Sequence, residues 1–363
     1  MSTARRSFTI TAVAILTIAG ALALWKLREL VALLFLSLMI ASAMRPGVDR
    51  LAHYRIPRIA AVLAHYAALL GLIALVLWMV IPQLLAQVES AIGNVPQTRQ
   101  HLAQAADGST GIKHDILVGL QKDLTKLPTA GDLVHPAIDA GKQALEILVG
   151  IFFVLASAAY WIYERDRFVE LVASFVDRTK RKTLRDTWDL VELKLGAYVR
   201  AMLLMICIVG SVLSFAFWQI GLPYWLLLGL TAALMEIIPV VGPLAAGVLA
   251  VAAGLTVSVE AAVLAAVAVY GLRLIQDYLL GPRVLGGSVG IAPLAVLICV
   301  FAVGLLFGAA YVPLSTPFLA VVATVVDVLV RGARPTEQEV PSVVFSSSSL
   351  EEYRAETRTR TGS

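Results

Sequence analysis

Long apolar runs separated by short charged connections dominate this chain. Crossing about 30 Å of hydrocarbon takes roughly 20 residues of helix. Runs of that order recur at Phe8–Trp25, Leu27–Met44, Ile59–Ile81, Ala144–Tyr163, Ala197–Ile220, Glu260–Leu280, Ile291–Ala310 and Val312–Val330. The pattern predicts an all-α polytopic membrane protein with about eight transmembrane helices. One stretch, Leu222–Ser258, is apolar but interrupted: Glu236 and the turn Pro239-Val240-Val241-Gly242-Pro243 sit at its middle. Proline cannot continue a helix, and a broken helix at membrane depth persists only where it lines a cavity or packs inside protein. Each arm has about 17 residues, short for a crossing, so the stretch from about 222 to 258 reads as a proline-broken re-entrant hairpin. Two thin crossings are the alternative, and they would move the C-terminus to the opposite side.

The charges between these runs set an orientation, because cytoplasmic connections carry the excess of Lys and Arg. Arg5 and Arg6 place the N-terminus in the cytoplasm, and Arg45, Arg50, Arg55 and Arg58 place the connection before the third run there too. Arg165, Arg167 and the cluster Arg178-Thr179-Lys180-Arg181-Lys182 do the same between the fourth and fifth runs, and Arg331 with Arg334 holds the C-terminus inside. The expected organisation is three transmembrane helices within 1–82, an extracytoplasmic helical segment over 83–143, helices four to eight with the hairpin over 144–330, and a disordered cytoplasmic tail over 331–363. Ile116, Leu117, Leu120, Leu124 and Leu127 give the outer segment its helical spacing, and Ser346–Ser349 with mixed charge marks the tail.

Composition agrees with this reading. Apolar residues make up 59% of 363 positions and charged residues 15%, well below the quarter usual in soluble domains. A net charge of +4 gives no reason to invoke nucleic acid. No nucleotide-binding glycine loop, metal-ligand spacing, Gly-x-Ser-x-Gly element or paired intramembrane aspartates occur in the sequence, so no cofactor, no metal and no enzymatic activity are expected. Cys207 and Cys299 sit in separate apolar runs and read as membrane-buried thiols.

Ionisable residues inside a bilayer are costly and tend to mark solute or ion pathways. Glu236 stands beside the helix break and is the first candidate; the competing role is a cap for the amides that its own hairpin frees. Pro239, Gly242 and Pro243 form the break, where unwound backbone can meet a cation or a polar solute. Arg273 and Asp277 lie four apart in an apolar helix and share a face, so they can pair. Gln276 is their polar neighbour, and Arg283 follows Gly281-Pro282 towards the cytoplasmic interface. Trp78, Trp161, Trp218 and Trp225 read as interfacial anchors, and Arg200 as a partner of lipid headgroups. Ala246, Ala250 and Gly254 form a four-residue small-residue spacing that suits close helix packing within the chain or between copies, which leaves a homo-oligomer open.

The order of several short blocks carries a family resemblance. Met235-Glu236-Ile237-Ile238-Pro239-Val240-Val241-Gly242-Pro243 resembles the signature of the autoinducer-2 exporter family of permeases. It is followed by Gln276-Asp277-Tyr278, Gly281-Pro282-Arg283-Val284-Leu285-Gly286 and Leu305-Leu306-Phe307-Gly308, and preceded by Arg55-Ile56-Pro57-Arg58 and Gly221-Leu222-Pro223-Tyr224. The likeness runs from about residue 28 to 330, with Arg200-Ala201 standing where the family has a Gly-Gln pair. It implies a secondary transporter of the bacterial cytoplasmic membrane. Its partners would be the lipid bilayer and a small polar solute such as autoinducer-2, with protons or sodium as coupling ions. Sodium or lithium exchange for protons, known in the same family, is the neighbouring expectation. A membrane scaffold or receptor acting through 83–143 is the non-transporting alternative.

Overall fold

Every backbone N–H and C=O in hydrocarbon must be satisfied within the protein, and helix does so inside its own segment. The computed structural model is accordingly helical almost throughout. It describes residues 11–87, 134–238, 241–280, 292–340 and 348–349, apart from scattered positions between 14 and 85. Most of the expected outer segment, together with Pro239, Arg283 and the end of the tail, lies outside the described residues.

Described residues between 11 and 26 are helical. After them come α1 (Arg28–His53), α2 (Ile59–Gly71), α3 (Val134–Ser174), α4 (Arg181–Ile220), α5 (Trp225–Met235), α6 (Val241–Leu255), α7 (Val259–Ile275), α8 (Pro293–Phe307) and α9 (Ser315–Leu329). Among the described residues, five helical stretches are long and apolar enough to cross a membrane: Arg28–Leu51, Leu145–Ser174, Arg178–Ile220, Val259–Leu280 and Ala309–Leu329. The shorter apolar helices include α2, α5, α6 and α8.

Two of the helices depart from what hydropathy alone suggests. The basic connection between the fourth and fifth apolar runs is not a loop: α3 continues to Ser174 and α4 begins at Arg181. With 41 and 40 residues they reach about 60 Å each, twice the hydrocarbon thickness. The ion pairs Glu170–Arg185 and Arg165–Asp189 run in opposite chain directions, so the two ends form an antiparallel pair. Within these charged stretches Val169 on α3 and Leu190 and Leu195 on α4 are buried.

The interrupted stretch folds as two short helices. α5 spans about 16 Å and α6 about 22 Å, each less than a bilayer core. α4 supplies Val209, Leu213 and Phe217 to their core, α5 and α6 supply Ala232, Ala233, Ala246 and Ala250, and α7 supplies Ala261, Ala265, Val269 and Leu272. So many alanines bring helices close enough for backbone-to-backbone dispersion, which is the main attraction available when lipid is as apolar as the side chains. α7 starts where Ser258 caps it, its Oγ accepting from the Ala261 amide at 3.0 Å.

The tail begins as ordered structure. Pro335 is buried, Lys194 Nζ on α4 donates to Gln338 Oε1 at 2.8 Å, and Glu339–Val340 pairs antiparallel with Ser348–Ser349. The first residues of the segment expected to be disordered thus pack on α4. Cys207 lies on the surface of α4 within its apolar run, and Cys299 is half-buried, its thiol within 3.5 Å of the Ser315 carbonyl.

Candidate functional site

Among the described residues of the turn between α5 and α6, several amides pair with nearby backbone carbonyls. Glu236 N–H donates to the Ala232 carbonyl at 3.1 Å, Ile237 N–H to Leu234 at 3.2 Å, and Ile238 N–H to Met235 at 3.0 Å. Gly242 N–H closes the turn on the Ile238 carbonyl at 3.0 Å. A Cβ at Gly242 would overlap the Met235 carbonyl oxygen, so only glycine lets α6 start this close to the end of α5. Gly242 is buried and Pro243 half-buried in the first turn of α6.

With those amides paired to backbone carbonyls, the contacts of the Glu236 side chain among the described residues go to α7 and the turn that continues it. Among the described residues both of its donors reach one oxygen, Oε1: Gln276 Nε2 at 3.2 Å and Arg273 Nη1 at 3.4 Å. Arg273 Nε also donates to Asp277 Oδ2 at 3.1 Å, so one guanidinium bridges two carboxylates. Glu236 is 13% exposed and Gln276 is buried, whereas Arg273 and Asp277 stand partly open. Geometry on α7 makes this possible. The helix widens into a π turn over Gln276–Leu280, and such turns recur at functional positions because they reorient side chains without ending the helix. Counting formal charges among the described residues, Glu236 and Asp277 against Arg273 leave one negative charge unbalanced. The sequence-predicted residues Glu236, Arg273, Gln276 and Asp277 therefore come together beside Gly242 and Pro243.

A second charged centre lies outside the sequence-predicted set. Glu192 on α4 is only 3% exposed and accepts from four donors: Arg45 Nη1 at 2.6 Å, Trp188 Nε1 at 2.9 Å, Arg165 Nε at 2.9 Å and Trp161 Nε1 at 3.0 Å. Arg165 also pairs with Asp166 and Asp189. Trp161, Phe168 and Trp188 pack around this centre with ring centroids 5.1–5.8 Å apart. Trp161 is thus a hydrogen-bond donor to a buried carboxylate. Arg200, eight residues along α4, donates to the Ala43 carbonyl on α1 at 3.1 Å rather than facing headgroups alone. The available signal was Asp186, Asp189 and Glu192 at three-residue spacing, with Trp188 one turn before Glu192.

The profile of AI-2E family transporters matches residues 12–331. This chain belongs to the AI-2E transporter family. YrrI of Bacillus subtilis is 26% identical over 304 residues, spanning 79% of this chain and 83% of its own. YueF of the same organism is 28% identical over 290 residues, with 76% and 78% covered. MT0215 of Mycobacterium tuberculosis is 27% identical over 327 residues, with 85% and 86% covered. All three are named as candidate transport proteins. The family and the apolar helices together make this a multi-pass membrane transporter.

Proposed function

We propose that this AI-2E family member is a secondary transporter that moves a small polar solute such as autoinducer-2 out of the cell, driven by a proton or sodium gradient through Glu236. The observation that carries the reading is the Glu236–Arg273–Asp277 cluster, placed where two short helices meet and short of one positive charge among the described residues. A carboxylate held by two long contacts can exchange Arg273 for a proton or a cation, since Arg273 keeps Asp277 as a partner when it lets go. Gln276 then offers an amide to the same place, and its burial restricts what reaches it. In this reading α5 and α6 form a re-entrant hairpin and both termini lie in the cytoplasm of a bacterial inner membrane. The unbalanced negative charge also favours cation exchange for protons as the family alternative.

Proteoliposomes with imposed pH and sodium gradients test this. Autoinducer-2 flux that rises with either gradient supports export; sodium or lithium exchange without solute movement selects the antiport alternative. Ligand binding with no movement under any gradient contradicts transport and returns the scaffold or receptor reading.

A further inference from the structure

The Glu192 centre does not contact Glu236, and it lies on the other half of α4. One face of α4 presents Glu192, Gly196 and Arg200, one turn apart, to α1. At the middle of the three, a Cβ on Gly196 would overlap the Ser42 carbonyl, so the two backbones touch there. On one side Arg200 holds the Ala43 carbonyl, and on the other Glu192 holds Arg45. α1 is therefore seated on a pivot at Gly196–Ser42 and clamped one turn away by charge.

Two observations set this clamp apart from ordinary core. The contacts at Glu192 are directional and join three helices, α1 through Arg45, α3 through Arg165 and Trp161, and α4 itself. An apolar filling of similar volume would hold three helices as well, so a buried carboxylate with this many donors suits a contact that must be made in one arrangement and released in another. Beside it lies a small pocket of mixed lining, with Ser42, Arg45 and Glu192 among its polar residues and Ala41, Val48 and Ile162 among its apolar ones. The Ser42 hydroxyl is buried there and has no hydrogen-bond partner among the described residues. An unsatisfied buried hydroxyl costs stability in this arrangement and would be relieved by water entering an opened one. Beyond the pivot, α4 runs on to Val209, Leu213 and Phe217, against the α5–α6 pair. Rotation of α4 at its clamped end would thus move the surface on which the broken pair rests.

We infer that Glu192 is a positioning residue for transport: its ion pairs clamp α1 and α3 to α4, and their release opens the Ser42 pocket to water on the side of the membrane that carries Arg45. This rests on the transport reading given under Proposed function.

The test is thiol labelling of Ser42→Cys in a chain whose Cys207 and Cys299 are replaced by Ala, using a membrane-impermeant maleimide on everted and right-side-out vesicles. It needs neither solute nor gradient, so its failure is separable from a failure of the transport reading. With Glu192 intact, the thiol introduced at position 42 should label slowly. Glu192→Gln should raise the rate at least about tenfold from one membrane face only, because two guanidinium groups lose their shared anion. Glu192→Asp should stay within about threefold of the parent, since the charge is kept. Trp161→Phe, which removes a single donor and tolerates folding more readily, should give a smaller one-sided rise and carries the test if Glu192→Gln does not reach the membrane. Unchanged labelling in Glu192→Gln and Trp161→Phe, equal acceleration from both faces, or identical rates for the Asp and Gln variants would each overturn the clamp.

Discussion

Glu192 and Glu236 are both glutamates largely withdrawn from solvent, one within α4 and one at the end of α5, yet their surroundings differ in kind. Glu192 takes four contacts of 2.6–3.0 Å on both oxygens, from three helices. Glu236 takes two contacts of 3.2 and 3.4 Å on one oxygen, both from α7 and the π turn that continues it. A buried carboxylate surrounded by short charge-assisted bonds has little capacity left for a ligand and acts on the helices that donate to it. One with long bonds that reach a single oxygen among the described residues can take a proton or cation at modest cost. The comparison separates a carboxylate that joins helices from one that is available to cargo.

The largest effect should come from emptying the saturated site. Glu192→Ala takes from Arg45 and Arg165 the anion they share, and should destabilise the purified protein by about 3–5 kcal/mol, seen as a marked fall in thermal midpoint in detergent. An unchanged midpoint would break the contrast between the two glutamates. Next is Gly196→Val, whose side chain must push α1 off α4 at Ser42; about 1–3 kcal/mol is expected from the same measurement. Smallest is Asp277→Asn. Asp277 is half exposed, and its pairing with Arg273 across one helical turn should be worth about 0.5 kcal/mol or less to stability. A stability loss at Asp277 as large as that at Glu192 would mean that the Glu236 cluster is structural too.

The broken pair was legible because its evidence is local. A Glu followed within seven residues by Pro, Gly and Pro in apolar sequence names its own turn, and Arg273 with Asp277 four residues on names its own pair. What joins the two is legible only as a shared apolar environment, since 37 residues separate Glu236 from Arg273. The Glu192 centre was hidden for the same reason in stronger form. Arg45 is 147 residues from its partner, and its charge served equally well as a topology signal. Hydropathy also broke off between Tyr163 and Ala197, where polar residues appear. α3 and α4 continue regardless, with Val169, Leu190 and Leu195 buried among the charged positions of an amphipathic pattern.

In the proposed mechanism Glu236 is the group that exchanges its guanidinium partner for the coupling ion. Its most direct test is efflux from inverted vesicles or proteoliposomes by Glu236→Gln, measured across pH beside the parent protein. Gln keeps the shape and an acceptor but cannot titrate. Glu236→Gln should keep near-parental thermal stability, lower the rate at least about tenfold, and give a flat pH profile. Parental rate with parental pH dependence would contradict it.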